Sequence, residues 1–244
     1  MCTVILLLRP GHRWPVLIAA NRDERLDRPW DAPGAYWPGQ SSVMAGRDRL
    51  GGGTWMAMRG GLVAAVLNRP GSLGPAPGKL SRGGLPLMAM EHESADAASR
   101  ALLRLDGGAY CSFNMVVADR RSAHFIRGLG HGRPEGWALP PGLHVVTAHD
   151  PNDPGSPRAQ AQLPRFAASP VPDPTGDDWA AWQRLLAGRS GPRAAALNVP
   201  PRDGFGTVCS SLVGLPASGP PVWLFAAGPP DRVAFLPVAT ETPG

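Results

Sequence analysis

The chain has 244 residues, of which 43% are hydrophobic, so it can bury a sizeable core and is not intrinsically disordered. Its net charge is +5, but Lys79 is the only lysine and the arginines are scattered, which argues against nucleic-acid binding. The three cysteines form no CxxC pair and the six histidines show no metal-ligand spacing, so neither a disulfide framework nor a metal site is predicted. We therefore expect one cytoplasmic domain over residues 1–244, without membrane insertion.

The first predicted elements form a hairpin. A strand is predicted over Thr3–Leu8, Pro10-Gly11 provides the turn, and a second strand runs from residue 14 to about residue 20. Both runs are apolar without clean alternation, which indicates strands covered on both faces. Asn21 and Asp23 are expected to follow the second strand and so to return beside the start of the first.

Further along, hairpins and helices alternate. The predicted strands span residues 54–58, 62–67, 112–118, 123–127, 142–147, 207–215, 222–227 and 232–238. Helices are predicted over 85–90, after a Ser94 cap, near 159–167, and after a cap at Asp177 or Asp178. Strands at both ends with helices between them predict an α+β fold of two antiparallel sheets packed together and sandwiched by helices.

The second residue of the chain carries the clearest chemical signal. Small residues at position 2 permit removal of Met1, which would leave Cys2 with a free α-amine. A thiol with a pKa of about 8.5 and an amine with a pKa of about 8 then share one residue, so the amine can serve as the general base. N-terminal nucleophile hydrolases cleave amides in this way. The alternative is that Cys2 is only a small residue at a strand start, and that "NRDE" is a solvated hairpin end with local ion pairs.

Six short motifs occur along the chain in a fixed order. They are MCT at the start, ANRDE followed by Arg28-Pro29, GGTW at 52–55, LNRP at 67–70, SRG at 81–83, and GTVCSS at 206–211. On these motifs the chain resembles the NRDE family, which includes the transport and Golgi organisation protein 2 group. That family looks related to N-terminal cysteine hydrolases such as bile-salt hydrolase and penicillin V acylase. The resemblance implies a four-layer αββα sandwich of two antiparallel sheets.

The resemblance also implies roles for individual residues. Cys2 is the expected nucleophile, Asp23 the partner of its amine, and Asn68 the oxyanion donor. Apart from the resemblance, the residue types and their positions make Asn21, Arg22, Trp55 and Asn114 the expected substrate-binding residues. No metal or other cofactor is implied.

Two positions depart from the pattern of the relatives. Ala148 or His149 stands where relatives tend to have a Ser-Asn pair, and Val208 stands where many have arginine. Two hypotheses follow. In the first, the protein hydrolyses or transfers an acyl group at the C–N bond of a small, partly apolar amide through Cys2. In the second, it carries haem or another small ligand without turnover, held by a thiolate or a histidine, as members of the related group are implicated in haem trafficking.

Overall fold

The computed structural model describes residues 2–239, which divide into two compact units. The first unit combines residues 2–28 with Pro141–Val238, and the second consists mainly of Pro29–Pro140. The expected removal of Met1 lies outside the described residues. The single domain expected over residues 1–244 stays a prediction.

The described residues form strands and α-helices that alternate along the chain. The strands are β1 Thr3–Leu8, β2 Val16–Arg25, β3 Trp30–Gly34, β4 Met44–Asp48, β5 Met56–Arg59, β6 Leu62–Asn68, β7 Phe113–Ala118, β8 Ala123–Gly128, β9 Glu135–Ala138, β10 Gly142–Val146, β11 Phe205–Leu215, β12 Val222–Ala226 and β13 Leu236–Pro237. The helices are α1 Leu85–Ala89, α2 Ala95–Leu102, α3 Pro157–Ala167 and α4 Ala180–Leu186.

The first unit is built on an antiparallel sheet with the strand order β10-β1-β2-β11-β12-β13. Its central strands are apolar and buried because α3 and α4 cover one face, where Phe166, Trp179 and Trp182 pack against Ile5 and Leu212. The register places the first residues of β1 beside the polar second half of β2. The sheet thus brings the amino-terminal end of the chain to the NRDE motif.

The second unit is built on a separate antiparallel sheet with the order β3-β4-β5-β6-β7-β8-β9. Helices α1 and α2 pack on it through Leu85 and Leu102, which contribute to a core that includes Phe113 and Met115. The hydroxyl of Ser94 accepts a hydrogen bond from the Ala97 amide and begins α2, as predicted. The predicted hairpins of this unit are confirmed to within two residues.

Three predictions for individual elements are wrong. The strand expected over residues 232–238 is limited to Leu236–Pro237. The second strand does not end near residue 20 but continues to Arg25, because β11 pairs with it along its whole length. Neither Asp177 nor Asp178 caps α4: the N-cap residue is Trp179, and Asp177 adopts a left-handed conformation with φ of 53° at the end of a preceding 3₁₀ turn. The consequence for the site is that Asn21 and Asp23 lie within a paired strand rather than beyond it.

Strands β3, β4 and β9 have no counterpart among the predicted elements. They are short, and β3 and β4 contain proline or glycine, so their sequences lack an apolar run long enough to indicate a strand. None of the helices found in residues 2–239 has both the length and the apolar character that a bilayer crossing requires. The cytoplasmic location expected from the cysteines stays a prediction.

Candidate functional site

Cys2 lies directly before β1, beside the NRDE motif. Thr3 is paired with Asn21 across the two strands, so the neighbouring thiol comes close to the main chain of Asp23. The half-buried Sγ of Cys2 donates to the Asp23 main-chain carbonyl oxygen at 3.6 Å, which is within hydrogen-bonding reach for sulfur. The hairpin therefore brings together the two residues that the resemblance identifies as nucleophile and amine partner.

The Cys2 thiol is in an environment that favours its neutral form. Burial raises the pKa of Cys2, the negative charge of Asp23 raises it further, and the Arg22 guanidinium opposes both effects. Since the net direction is upward, Cys2 is protonated at neutral pH, which agrees with its role as donor to the Asp23 carbonyl. A nucleophilic role for this thiol thus requires a base that removes its proton.

The Asp23 carboxylate is completely buried and held from two sides. One oxygen, Oδ2, accepts from Nη1 of Arg158 at 3.0 Å, and the other, Oδ1, accepts from the Thr207 hydroxyl at 2.6 Å. The same Nη1 donates to the Thr3 hydroxyl at 2.8 Å, while the Thr207 oxygen accepts from the Val199 amide at 2.8 Å. This network fixes the position of the carboxylate next to the start of β1.

Asn21 uses its side chain in internal hydrogen bonds. Its Nδ2 donates to the carbonyl oxygens of Leu186 and Leu197, each at 3.0 Å, and its Oδ1 accepts from the Ser210 hydroxyl at 2.7 Å. Because Leu186 is the last residue of α4, one of these bonds satisfies a carbonyl at a helix end. Asn21 therefore fastens the segment after α4 to the sheet, and its expected contact with substrate stays a prediction.

A β-bulge sets which side chains of β11 face this network. Thr207 is opposite Asp23, but the next paired residue is Cys209, opposite Arg22, so Val208 is the extra residue. Without the bulge, Thr207 and Ser210 would point to opposite faces, since they are an odd number of residues apart. With it, both hydroxyls point to the helix-covered face, where they meet Asp23 and Asn21.

Arg22 points to the other face of β2, because side chains alternate along a strand. Its guanidinium lies 3.6 Å from the Glu24 carboxylate and is almost completely buried. Cys209 stands opposite it on β11, where burial raises the pKa of the thiol and keeps it neutral. Cys2, directly before β1, and Cys209, on β11, lie on either side of β2, and both are free thiols.

The remaining predicted site residues belong to the second unit. Asn68 ends β6 opposite Phe113, and its side chain is half-buried. Asn114 is completely buried on β7 and accepts from Nη1 of Arg69 at 2.6 Å. Trp55 is half-buried, with an edge-to-face ring contact inside the same unit. The roles expected for Asn68, Trp55 and Asn114 stay predictions.

The positions that depart from the relatives are buried. Ala148 follows β10 and is inaccessible to solvent, while His149 beside it is half-buried, with Nδ1 3.7 Å from the Asp153 carboxylate. Val208 is almost completely buried. Where the resemblance predicts an amide, the chain thus has buried Ala148 or half-buried His149, and where it predicts a guanidinium it has buried Val208.

Three members of the network around Asp23 and Asn21 were not predicted as site residues. Thr207 and Ser210 belong to the GTVCSS motif, which is a visible signal, but their roles depend on the bulge. Arg158 lies in a proline-rich stretch that connects β10 to α4. The local sequence feature beside it is Ser156-Pro157, which indicates only that a helix begins there. Ser156 caps α3 and Pro157 lies in its first turn.

The titratable side chains of residues 2–239 include no group of three or more His, Cys, Asp or Glu placed to hold a metal ion. The functional groups that the described residues bring to this site are a thiol, a buried carboxylate with its cation, and nearby hydroxyl and amide groups.

The fold of the chain is similar to that of a solved amidase structure. It matches the structure of the Caenorhabditis elegans N-acylethanolamine-hydrolyzing acid amidase ortholog with a TM-score of 0.59, over 86% of this chain and 92% of that chain, at 13% sequence identity. The match confirms the predicted α+β fold class of the N-terminal nucleophile hydrolases, with two antiparallel sheets. At this identity it is evidence of fold alone.

The sequence itself identifies the family. The family model for Transport and Golgi organisation 2 matches residues 1–169, which include both the MCT start and the NRDE motif. The chain belongs to the Transport and Golgi organisation 2 family. A search of curated proteins gives no match to the sequence.

Proposed function

We propose that this protein is an N-terminal-cysteine hydrolase or acyltransferase that acts on the C–N bond of a small, partly apolar amide. The observation that carries the proposal is the hydrogen bond from the Cys2 thiol to the main-chain carbonyl of Asp23, whose carboxylate is fixed by Arg158 and Thr207. The similarly folded nematode enzyme is named for hydrolysis of N-acylethanolamines, so amides with an apolar acyl chain are the first substrate class to test.

The proposed reaction begins with removal of Met1, which frees the α-amine of Cys2. The amine takes the Sγ proton, and the thiolate attacks the amide carbonyl to form a tetrahedral intermediate. The ammonium then returns the proton to the leaving nitrogen, the C–N bond breaks, and an acyl thioester remains on Cys2. Water or an acceptor amine releases the acyl group. In this scheme Asp23 orients the amine, and Asn68 donates to the oxyanion.

An adduct experiment tests the nucleophile. Protein with Met1 removed is treated with an activated fatty-acyl ester or amide, and the modified residue is identified by intact mass and peptide mapping. We expect one acyl group, on Cys2, and none on the Cys2→Ala variant. Cys111, which is also a half-buried free thiol, is the internal control. Acylation of Cys111 with Cys2 unmodified would contradict the assignment.

A second candidate function is transport of haem or another small ligand without turnover. It is favoured by the buried apolar side chains of Ala148 and Val208, at positions where the resemblance to the hydrolases predicts polar groups. Addition of haem distinguishes the two functions. A carrier that uses the thiolate as an axial ligand gives a Soret shift that Cys2→Ala abolishes, whereas ligation by histidine leaves the shift in place. An acyl adduct on Cys2 without any Soret change supports the enzyme.

A further inference from the structure

Arg158 is a buried cation at the start of a helix. It is the second residue of α3, its side chain is 7% exposed, and both contacts of Nη1 run to residues beside Cys2 in the sheet, namely Thr3 and Asp23. We propose that Arg158 is a positioning residue for the Cys2 site, which fixes the Asp23 carboxylate and limits the effect of its charge on the thiol. This inference rests on the proposed function.

The location of Arg158 is unfavourable without its partner. Removal of a guanidinium from water is costly, and the amino-terminal end of a helix carries partial positive charge that repels it. Helix α3 has no acidic residue in its first turn to offset this repulsion. Among the described ion pairs, the negatively charged partner of Arg158 is the Asp23 carboxylate. The two charges therefore stabilise each other in the interior.

The pair has a direct consequence for the chemistry of Cys2. A negative charge near a thiol and an amine favours the thiol over the thiolate and the ammonium over the amine. Asp23 acts on Cys2 in this direction, and Arg22 on β2 opposes it. Cys209 on β11 and Glu24, whose carboxylate lies 3.6 Å from the Arg22 guanidinium, are further titratable side chains beside them. Arg158 neutralises part of the Asp23 charge, so the carboxylate can orient the amine without holding it permanently as an ammonium ion.

The test compares substitutions of Arg158 with a matched one in the same helix. Arg165, in the last turn of α3, makes a hydrogen bond to Gln162 and does not contact Asp23, so Arg165→Gln is the control. The measurement is the rate of Cys2 alkylation by iodoacetamide against pH, on protein with Met1 removed. For Arg158→Gln we expect the midpoint of this profile to move to higher pH by roughly 1 unit. Arg158→Lys keeps the positive charge, so its midpoint is expected to lie close to that of the unmodified protein.

A double variant covers the case in which Arg158→Gln fails to fold because it leaves a buried carboxylate unpaired. Arg158→Gln with Asp23→Asn removes both charges, and its midpoint is expected at or below that of the unmodified protein. A midpoint that is the same for Arg158→Gln and Arg165→Gln, or that rises equally in the double variant, would overturn the inference. Failure of the unmodified protein to form an acyl adduct would instead count against the proposed function, because the alkylation profile does not depend on turnover.

Discussion

Replacement of Asn21 by alanine tests whether this residue fastens the segment after α4 to the sheet. The substitution removes the partners of the Leu186 carbonyl and of the Ser210 hydroxyl, both in the interior. The Leu197 carbonyl keeps only a weaker contact, to the Thr207 hydroxyl at 3.3 Å, whose single proton is shared with the closer Asp23 carboxylate. Two buried polar groups are therefore left unsatisfied, at about 1 to 3 kcal/mol each, so we expect the free energy of unfolding to fall by about 3 kcal/mol.

Urea denaturation followed by tryptophan fluorescence measures this change. The midpoint of unfolding should fall with little change in the slope of free energy against urea. Asn21→Ala combined with Ser210→Ala should cost less than the sum of the single substitutions, since the two side chains share a hydrogen bond. A loss below about 1 kcal/mol for Asn21→Ala would refute the reasoning, because one unsatisfied buried group alone costs that much.

Two further predictions concern the thiol and the second unit. Asp23→Asn is expected to move the midpoint of Cys2 alkylation to lower pH more than Glu24→Gln does, because the buried Asp23 charge raises the pKa of the thiol, whereas Glu24 is partly exposed and pairs with arginines. Gly46→Ala is expected to lower the free energy of unfolding by about 1 to 3 kcal/mol, as measured by thermal denaturation. A β-carbon at residue 46 would lie 2.3 Å from the Trp55 ring, which must then move.

Both predictions have matched controls. Equal effects of the Asp23 and Glu24 substitutions on alkylation would mean that the NRDE motif has only a structural role. Gly39→Ala serves as the control for Gly46→Ala, because a β-carbon there has no neighbour within 4 Å. If both glycine substitutions destabilise the protein equally, close packing of Trp55 on residue 46 is not the cause.

Much of the sheet that carries the site could be predicted from local patterns. The apolar run over Thr3–Leu8 and the Pro10-Gly11 turn suffice to predict the hairpin that brings Cys2 beside Asp23. The strand prediction stopped near residue 20 because charged residues usually mark the end of a buried strand. Here the charges of Arg22 and Asp23 stay inside the strand, since Glu24 and Arg158 pair with them.

The partners of Asp23 could not be predicted in the same way. Arg158 is 135 residues away in the sequence, in a proline-rich stretch where no periodicity distinguishes a buried arginine from an exposed one. The sequence predicts the strand that contains Thr207 and Ser210. Strict alternation of side chains along that strand would put these two residues on opposite faces of the sheet, so one of them would be assigned to the wrong face. A bulge has no reliable signature in a single sequence, because it depends on the register with the neighbouring strand.

The extra residue in β11 makes position 208 tolerant of one kind of sequence change and sensitive to another. An exchange of the buried Val208 for an apolar side chain of similar size is expected to keep the pairing of Thr207 with Asp23 and of Cys209 with Arg22, because the number of residues does not change. Deletion of the same residue removes the bulge, so that either Thr207 or the whole stretch from Cys209 to Leu215 must turn to the opposite face. Length, rather than side-chain identity, is thus the property of this segment that the two hydroxyl contacts require.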